Sequence, residues 1–177
     1  MLYAKAIQMA IKAHERQVRK IDATPYVVHP LEVGLLLSKY GLSDDIVIAG
    51  ILHDTVEDTA LTLSDIRRDF GDTIAKYVDF SSEIDKCDSW ENRKRDYLKR
   101  MEMAPLEVLY IICADKVSNT DSLLKNIDEF GPHIWERFNA GVEKQRWYYS
   151  EALIKLERIK PHPLYDLLSQ NIDALFG

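Results

Sequence analysis

Two stretches of the sequence are apolar on almost every side of a helix: 46–52 (IVIAGIL) and 106–114 (LEVLYIICA). A helix without a polar face has no side to turn toward water, so both belong at the centre of a domain. An acid follows each stretch, Asp54 after the first and Asp115 after the second. The two central helices are therefore expected to end in carboxylates that meet at one interior place.

The rest of the sequence also has helical spacing. Its seven glycines and six prolines fall at the ends of segments in which apolar residues recur every three or four positions. This pattern predicts an all-α protein, and no strand alternation is evident. A chain of 177 residues suits a single domain, 1–177. Helices are expected at about 2–17, 29–40, 44–54, 62–69, 71–80, 89–103, 105–127, 132–158 and 162–175.

Several helix ends carry recognisable signals. Gly41 follows LLLSKY and suits a helix C-terminus, and Gly71 suits another. Thr62 and Asp65 have the spacing of a capping box with a shortened acid. The basic stretch 89–101 alternates in charge and is most simply the solvent face of an amphipathic helix.

Composition excludes several classes of partner. A net charge of −6 argues against extended nucleic acid, because phosphate backbones favour broad basic surfaces, although a small anion still fits a local basic pocket. Cys87 and Cys113 are too few for a disulfide framework, which indicates a reducing compartment and predicts a cytoplasmic protein. No secretory signal or bilayer-length apolar run is present, so no membrane contact is expected. A homo-oligomer is compatible with these features.

The segment AGILHDTVEDT, 49–59, places four ionisable side chains directly after the first buried helix. Buried unpaired charge costs several kcal/mol per ion, so such a cluster needs partners or a metal. Glu57 and Asp58 follow His53 and Asp54 at i+4 and should overhang the same helix face. This position suits a general acid and base beside a reacting water or leaving group.

Four residues form the candidate metal site. His29 in YVVHP and Asp115 join His53 and Asp54 to give two imidazoles and two carboxylates. This mixed set of nitrogen and oxygen ligands suits Mn²⁺, Fe²⁺ or Zn²⁺ better than Mg²⁺ or Ca²⁺. A water bound to such an ion becomes a nucleophile at neutral pH.

Each of these residues also has a purely structural interpretation. A Glu-Asp pair is usually a solvated helix end, and a histidine before proline can be satisfied by backbone groups. Asp115 can act as an N-cap or pair with Lys116 or Arg95. The combination of two interior acids with a doubled acid one turn further on favours the metal site.

A basic group precedes the loop that leads to His29. Arg16, Gln17, Arg19 and Lys20 lie together, and arginine forks match phosphate oxygens. The alternative is a solvated helix C-terminus, where the macrodipole favours cations. His14 is expected to be a packed or hydrogen-bonded histidine and is left out of the metal set.

Taken in order, five motifs resemble the hydrolase domain of the RelA/SpoT alarmone enzymes, within the HD-domain metal-dependent phosphohydrolases. The resemblance covers the whole chain, as in stand-alone small alarmone hydrolases, and implies an all-α HD-domain helical bundle. It also implies Mn²⁺-dependent removal of the 3′-pyrophosphate from (p)ppGpp, a nucleotide substrate. The motifs are AHERQVRK, PYVVHP, AGILHDTVEDT, FGDTIAKYV and ADKVSN.

The resemblance implies a role for each site residue. The metal ligands would be His29, His53, Asp54 and Asp115, and the acid/base pair would be Glu57 and Asp58. Arg19 and Lys20 would contact the nucleotide, and Asn119 would be a polar group on the substrate side. A single Mn²⁺ is expected, and another divalent transition metal is the alternative.

The sequence departs from the family pattern in two places. The loop 21–24, IDAT, is one residue longer than the usual form and lacks its glycine, and Ser118 replaces a usual histidine. No synthetase half is present, so the resemblance implies a hydrolase only. Two alternatives remain: a phosphohydrolase of ppApp, NADPH or pyrophosphorylated RNA ends, and a non-catalytic nucleotide-binding module.

Overall fold

A computed structural model describes residues 2–83, 87–138 and 140–177. These residues form ten α-helices and two short 3₁₀ helices and contain no strand, so the all-α prediction is confirmed. The α-helices are α1 (Leu2–Ala13), α2 (Val28–Lys39), α3 (Asp44–Leu52), α4 (Thr55–Asp58), α5 (Leu63–Phe70), α6 (Asp72–Ser81), α7 (Trp90–Met103), α8 (Leu106–Phe130), α9 (Val142–Lys155) and α10 (Pro163–Phe176). The 3₁₀ helices are Pro132–Arg137 and Leu156–Ile159.

Helices α3 and α8 lie at the centre, as their apolar sequences predict. Every residue from 46 to 52 is buried, and α8 buries most of 108–118. Helix α2 packs on both of them, α1 and α6 pack on α3, and α10 packs on α8. This arrangement removes the apolar faces of both central helices from water, which is the main stabilising contribution to the fold.

Helices α2 and α3 approach each other through two glycines. A Cβ atom on Gly34 would overlap with Ile51 Cγ1, and one on Gly50 would overlap with Leu37 Cδ1. The two helices run antiparallel, so the first turn of α2 lies beside the end of α3. The close contact therefore sets the separation between the side chains at these two helix ends.

Most predicted helix ends agree with the structure. Gly41 follows α2 with a φ of 73°, in the left-handed region that glycine tolerates. Thr62 and Asp65 form both hydrogen bonds of a capping box at the start of α5. Helix α1 is shorter than predicted, since it ends at Ala13 and residues 14–17 form a turn.

Two expectations about the helices are wrong. The stretch 132–158 is not one helix: a 3₁₀ helix ends at Arg137, Phe138 is extended, and α9 starts only after Gly141. Asp115 does not end its helix, because the apolar stretch stops there but α8 continues to Phe130. Polar residues replace apolar ones along α8 without interrupting its backbone hydrogen bonds.

In the part of the chain that the structure describes, none of the helices is both long and apolar enough to cross a membrane.

Candidate metal centre and adjoining cleft

The structure brings the four candidate metal ligands together. His29 lies in the first turn of α2, and His53 and Asp54 lie at the break between α3 and α4. The Nε2 atom of His29 is 3.2 Å from Asp115 Oδ1 and 3.5 Å from Asp54 Oδ2. The Nε2 atom of His53 is 3.1 Å from Asp54 Oδ1 and 3.8 Å from Asp115 Oδ1. Residues remote in sequence therefore converge on one point.

The helix break explains how two adjacent residues face the same point. In a continuous helix, successive side chains point about 100° apart. His53 still has helical angles, but Asp54 has φ −90° and ψ −9°, and α4 begins at the next residue. The Asp54 carboxylate can therefore turn back toward the His53 ring.

Three of these residues form a group that could hold a metal ion. One ligand atom each from His29, His53 and Asp115 lies within 4.8 Å of the others, and all three residues are buried. Asp54 borders the group, is more exposed than the other three, and has an oxygen facing each imidazole.

Hydrogen bonds orient both imidazoles for metal binding. The Nδ1 atom of His53 donates to the carbonyl of Gly50 over 2.8 Å. Its Nε2 atom is buried without a hydrogen bond, although Asp54 Oδ1 lies 3.1 Å away. The Nδ1 atom of His29 is 2.9 Å from Ser118 Oγ. Both Nε2 atoms thus point toward the carboxylates, as the ligands of a divalent ion would.

The two carboxylates of the site, Asp54 and Asp115, are stabilised in their ionised form by neighbouring groups. Burial opposes ionisation of Asp115, but Lys116 and the two histidines outweigh it and hold the Asp115 pKa well below its usual range. Burial likewise opposes ionisation of Asp54, and the neighbouring His53 more than compensates, so the Asp54 pKa is lowered. The buried Lys116 ammonium lies 2.7 Å from Asp115 Oδ2. The salt bridge considered for Asp115 therefore exists, and it involves the oxygen that the imidazoles do not face.

The candidate acid/base pair lies on α4, beside the candidate ligands. Glu57 and Asp58 line a small pocket of about 140 Å³ together with Asp54 and Asp115. The backbone N–H of Glu83 donates to Glu57 Oε2 over 2.8 Å. Burial is the main cause that raises the pKa of Glu57 to about 7, and Asp54 adds to it. A carboxyl group that titrates near neutral pH is suited to proton transfer.

Two further contacts hold Asp58, one of which also holds Asp54, and neither was predicted from the sequence. The Tyr26 hydroxyl donates to Asp54 Oδ2 over 2.7 Å and lies 3.3 Å from Asp58 Oδ2. The Gln17 side chain donates to the Asp58 carbonyl over 2.7 Å. Tyr26 lies three residues before His29, so the PYVVHP motif was its only signal. His14 contacts Gln17 through Nδ1, as expected for a hydrogen-bonded histidine.

A larger cleft of about 590 Å³ adjoins the small pocket, and Tyr26, Asp58, Lys94 and Asn119 line both. Its volume is in the range of small-molecule sites. The cleft is lined by Gln17, Arg19 and Lys20 and by apolar side chains that include Ile21, Phe138 and Tyr149. Arg16 is exposed and does not line it.

Asn119 connects the cleft to the carboxylates. Its side-chain amide donates to Asp115 Oδ1 over 2.5 Å, and its oxygen accepts from Arg19 Nη2 over 3.0 Å. Arg19, a candidate nucleotide contact, and Asp115, a candidate ligand, are therefore hydrogen-bonded to the same side-chain amide. The stretch 89–101 is not only a solvent face, because Lys94 pairs with Glu83 and reaches the cleft.

The unusual loop 21–24 is held by local hydrogen bonds. The Arg19 N–H donates to the Thr24 carbonyl over 2.8 Å, and the Thr24 N–H donates to Asp22 Oδ1 over 3.0 Å. Ala23 has a φ of 57°, in the left-handed region. Alanine therefore takes a conformation that costs a residue with a Cβ about 1–2 kcal/mol and that glycine would adopt freely.

Comparison with known families agrees with the all-α fold. A family model described as HD domain matches residues 6–141, more than half of the chain. The chain belongs to the HD domain family.

Individual relatives give a more detailed picture. The guanosine-3′,5′-bis(diphosphate) 3′-pyrophosphohydrolase of Aquifex aeolicus is 32% identical over 122 residues, which are 67% of this chain and 17% of that protein. The chain spans 14% to 17% of the length of the curated relatives it matches. Among solved structures, the crystal structure of lmo0812 from Listeria monocytogenes superposes on this chain with a TM-score of 0.78, and the two sequences are 34% identical. The match covers 84% of this chain and 98% of lmo0812.

A second solved structure matches nearly the whole fold. It is described as a metazoan ortholog of SpoT that hydrolyzes ppGpp and plays a role in starvation responses. It is 25% identical to this chain with a TM-score of 0.79, and the match covers 99% of this chain and 93% of that one.

Proposed function

We propose that this protein is a Mn²⁺-dependent hydrolase that removes the 3′-pyrophosphate from ppGpp or pppGpp, giving GDP or GTP and pyrophosphate. The observation that carries the proposal is the convergence of His29, His53, Asp54 and Asp115 at the inner end of a basic, nucleotide-sized cleft. The activity stated for the Aquifex relative and for the SpoT ortholog supports the choice of substrate.

The metal would be held by His29, His53, Asp54 and Asp115. Two imidazoles with oriented Nε2 atoms and two ionised carboxylates suit a divalent transition metal, and Mn²⁺ fits this mixed donor set. When bound, such an ion supplies Lewis acidity that lowers the pKa of water and polarises phosphoryl oxygens.

The side chains of α4 would move the protons of the reaction. The oxygen of a water forms a bond to the phosphorus attached at the nucleoside 3′ oxygen, and the bond between that phosphorus and the 3′ oxygen breaks. Glu57 accepts the proton of the attacking water, which suits its pKa of about 7. Asp58, the next residue of α4, would pass that proton on to the departing 3′ oxygen, so the proton lost by the water is the one that the leaving group gains.

The cleft would position the nucleotide. Arg19 and Lys20 supply positive charge for phosphate or base oxygens, and the apolar wall formed by Ile21, Phe138 and Tyr149 suits the flat face of a base. Asn119 would hold the substrate against the metal centre, since it already contacts Asp115 and Arg19.

We also propose that residues 1–177 form one HD-type domain, because the match to the SpoT ortholog extends over 99% of the chain. A cytoplasmic location stays a prediction. Cys113 carries a buried free thiol, which is compatible with it. Association between copies of the chain likewise stays a prediction.

Turnover of ppGpp with and without added Mn²⁺, followed by pyrophosphate release, tests the proposal. We expect Mn²⁺-dependent release in the natural chain and no release in Asp54→Ala, which should also lose bound metal. Parallel assays with ppApp and NADPH identify a different nucleotide substrate. Tight ppGpp binding without any product over hours would instead identify a binding module and overturn the proposed hydrolase.

A further inference from the structure

Ser118 lies between a candidate metal ligand and an acid that the proposed mechanism does not use. It is fully buried on α8, one turn after Asp115. Its hydroxyl donates to Glu32 Oε2 over 2.7 Å, and its oxygen lies 2.9 Å from His29 Nδ1. Glu32 is on α2, one turn after His29. The three side chains thus form a chain of hydrogen bonds across the contact between α2 and α8.

The direction of these hydrogen bonds follows from the number of hydrogens. A serine hydroxyl has one hydrogen, and an ionised carboxylate can only accept. The Ser118 hydrogen therefore goes to Glu32, and the Ser118 oxygen accepts the hydrogen on His29 Nδ1. With Nδ1 protonated, the lone pair of Nε2 is available on the side of Asp54 and Asp115.

We propose that Ser118 and Glu32 are positioning residues that fix the ring of His29 as a metal ligand. The Glu32 carboxylate holds the Ser118 hydroxyl, and the Ser118 oxygen in turn fixes the orientation and the tautomer of the His29 ring, as a directly bound carboxylate does for ligating histidines. This inference rests on the proposed metal site. It also gives a role to Ser118, one of the two places at which the sequence departs from the pattern of the family it resembles.

The second imidazole provides an internal comparison. His53 donates through Nδ1 to the backbone carbonyl of Gly50, and a side-chain substitution elsewhere leaves that carbonyl in place. Loss of the Ser118 hydroxyl should therefore affect His29 and leave the orientation of His53 unchanged.

Two measurements test this role of Ser118 and Glu32. The first is the affinity of the purified protein for Mn²⁺ alone, by isothermal titration calorimetry. Ser118→Ala should weaken binding by roughly 10- to 100-fold, and Glu32→Gln, which keeps an acceptor but removes the charge, should lie near the lower end of that range.

The second measurement is ¹H–¹⁵N NMR of the metal-free protein. A slowly exchanging hydrogen on His29 Nδ1 should be present in the natural chain and in Glu32→Gln and be lost in Ser118→Ala.

Thr120→Ala is the matched control. Thr120 is also fully buried on α8, but its hydroxyl donates to the Lys116 carbonyl. We expect its Mn²⁺ affinity and its His29 signal to be unchanged. An equal loss of Mn²⁺ affinity in Thr120→Ala, or unchanged Mn²⁺ affinity in both Ser118→Ala and Glu32→Gln, overturns the proposal that Ser118 and Glu32 position His29. A natural chain that binds no Mn²⁺ overturns the metal site instead, and the His29 signal then still decides whether the hydrogen-bond chain exists.

Discussion

The hydroxyl of Tyr26 donates a 2.7 Å hydrogen bond to Asp54 Oδ2 and also lies 3.3 Å from Asp58 Oδ2. Burial and the carboxylate of Asp54 raise the pKa of Tyr26, so the hydroxyl stays protonated and remains a donor. One phenol therefore links a candidate metal ligand with a candidate proton-transfer group. The position of α4 relative to the candidate metal ligands depends on this contact as well as on the backbone break at Asp54.

Replacing Tyr26 with phenylalanine should weaken the metal centre without unfolding the protein. The ring keeps its packing, but Asp54 loses the donor that orients its carboxylate. We expect Mn²⁺ affinity to fall by roughly 10-fold, with a comparable loss of kcat. Calorimetric titration and steady-state ppGpp turnover measure the two effects. Tyr40→Phe, at the opposite end of α2, is the control, and equal behaviour of the two variants would argue against a role for the phenol.

Glu57→Gln should separate catalysis from metal binding. The amide keeps the shape of the side chain and can still accept from the Glu83 N–H, but it cannot take a proton. We expect bound Mn²⁺ to be retained and kcat to fall by roughly 10²- to 10⁴-fold, the usual contribution of a general base. Metal analysis and single-turnover kinetics measure this. Full activity in Glu57→Gln would remove the base assignment.

The raised pKa of Glu57 also predicts how the reaction rate depends on pH. Because burial raises the pKa of Glu57 to about 7, its basic form is lost as the pH falls through that value. The rate in the natural chain should therefore decrease on the acid side of about pH 7 by up to about tenfold per pH unit. The residual activity of Glu57→Gln should lack this limb. A profile that is flat down to about pH 5 would mean that another group accepts the proton.

Glu57 also has a predicted effect on stability. Its folded-state pKa is raised above the ordinary value of 4.5, so its contribution to stability is fully present below that value and is lost as the pH rises through about 7. In the metal-free protein, Glu57→Gln should therefore raise the free energy of unfolding at about pH 8 by up to about 3 kcal/mol, and by little at about pH 5. Urea denaturation at both pH values measures the difference, and an equal change at both would contradict the assignment.

The sequence predicted the parts of the site that depend on local pattern. The apolar stretches 46–52 and 106–114 fixed the central helices, and the acids after them indicated an interior cluster. The contacts of Tyr26 and Ser118 were not predictable, because their partners lie 28 and 86 residues away in the sequence and only the packing of helices brings them together.

The errors have a similar origin. Helical spacing over 132–158 continues across Gly141, but the backbone there is extended, so periodicity alone overestimated the helix. Asp115 was placed at a helix end because an acid is costly in a core. In the structure, Lys116 on the same helix neutralises its charge and Asn119 donates a hydrogen bond to it, so α8 can continue.

The glycine contact between α2 and α3 should control the geometry of the metal centre. Gly34→Ala would force its methyl group against Ile51 Cγ1, and relief requires Ile51 to leave its rotamer or the helices to separate. We expect a loss of about 1–3 kcal/mol in the free energy of unfolding and weaker Mn²⁺ binding, because His29 and His53 lie at the adjoining ends of these helices. Gly141→Ala is the control, since its Cβ meets no atom within 4 Å and its φ of −63° suits alanine. Denaturation and calorimetric titration of both variants test the link, and a destabilised Gly34→Ala protein that binds Mn²⁺ with unchanged affinity would show that the site does not depend on this helix contact.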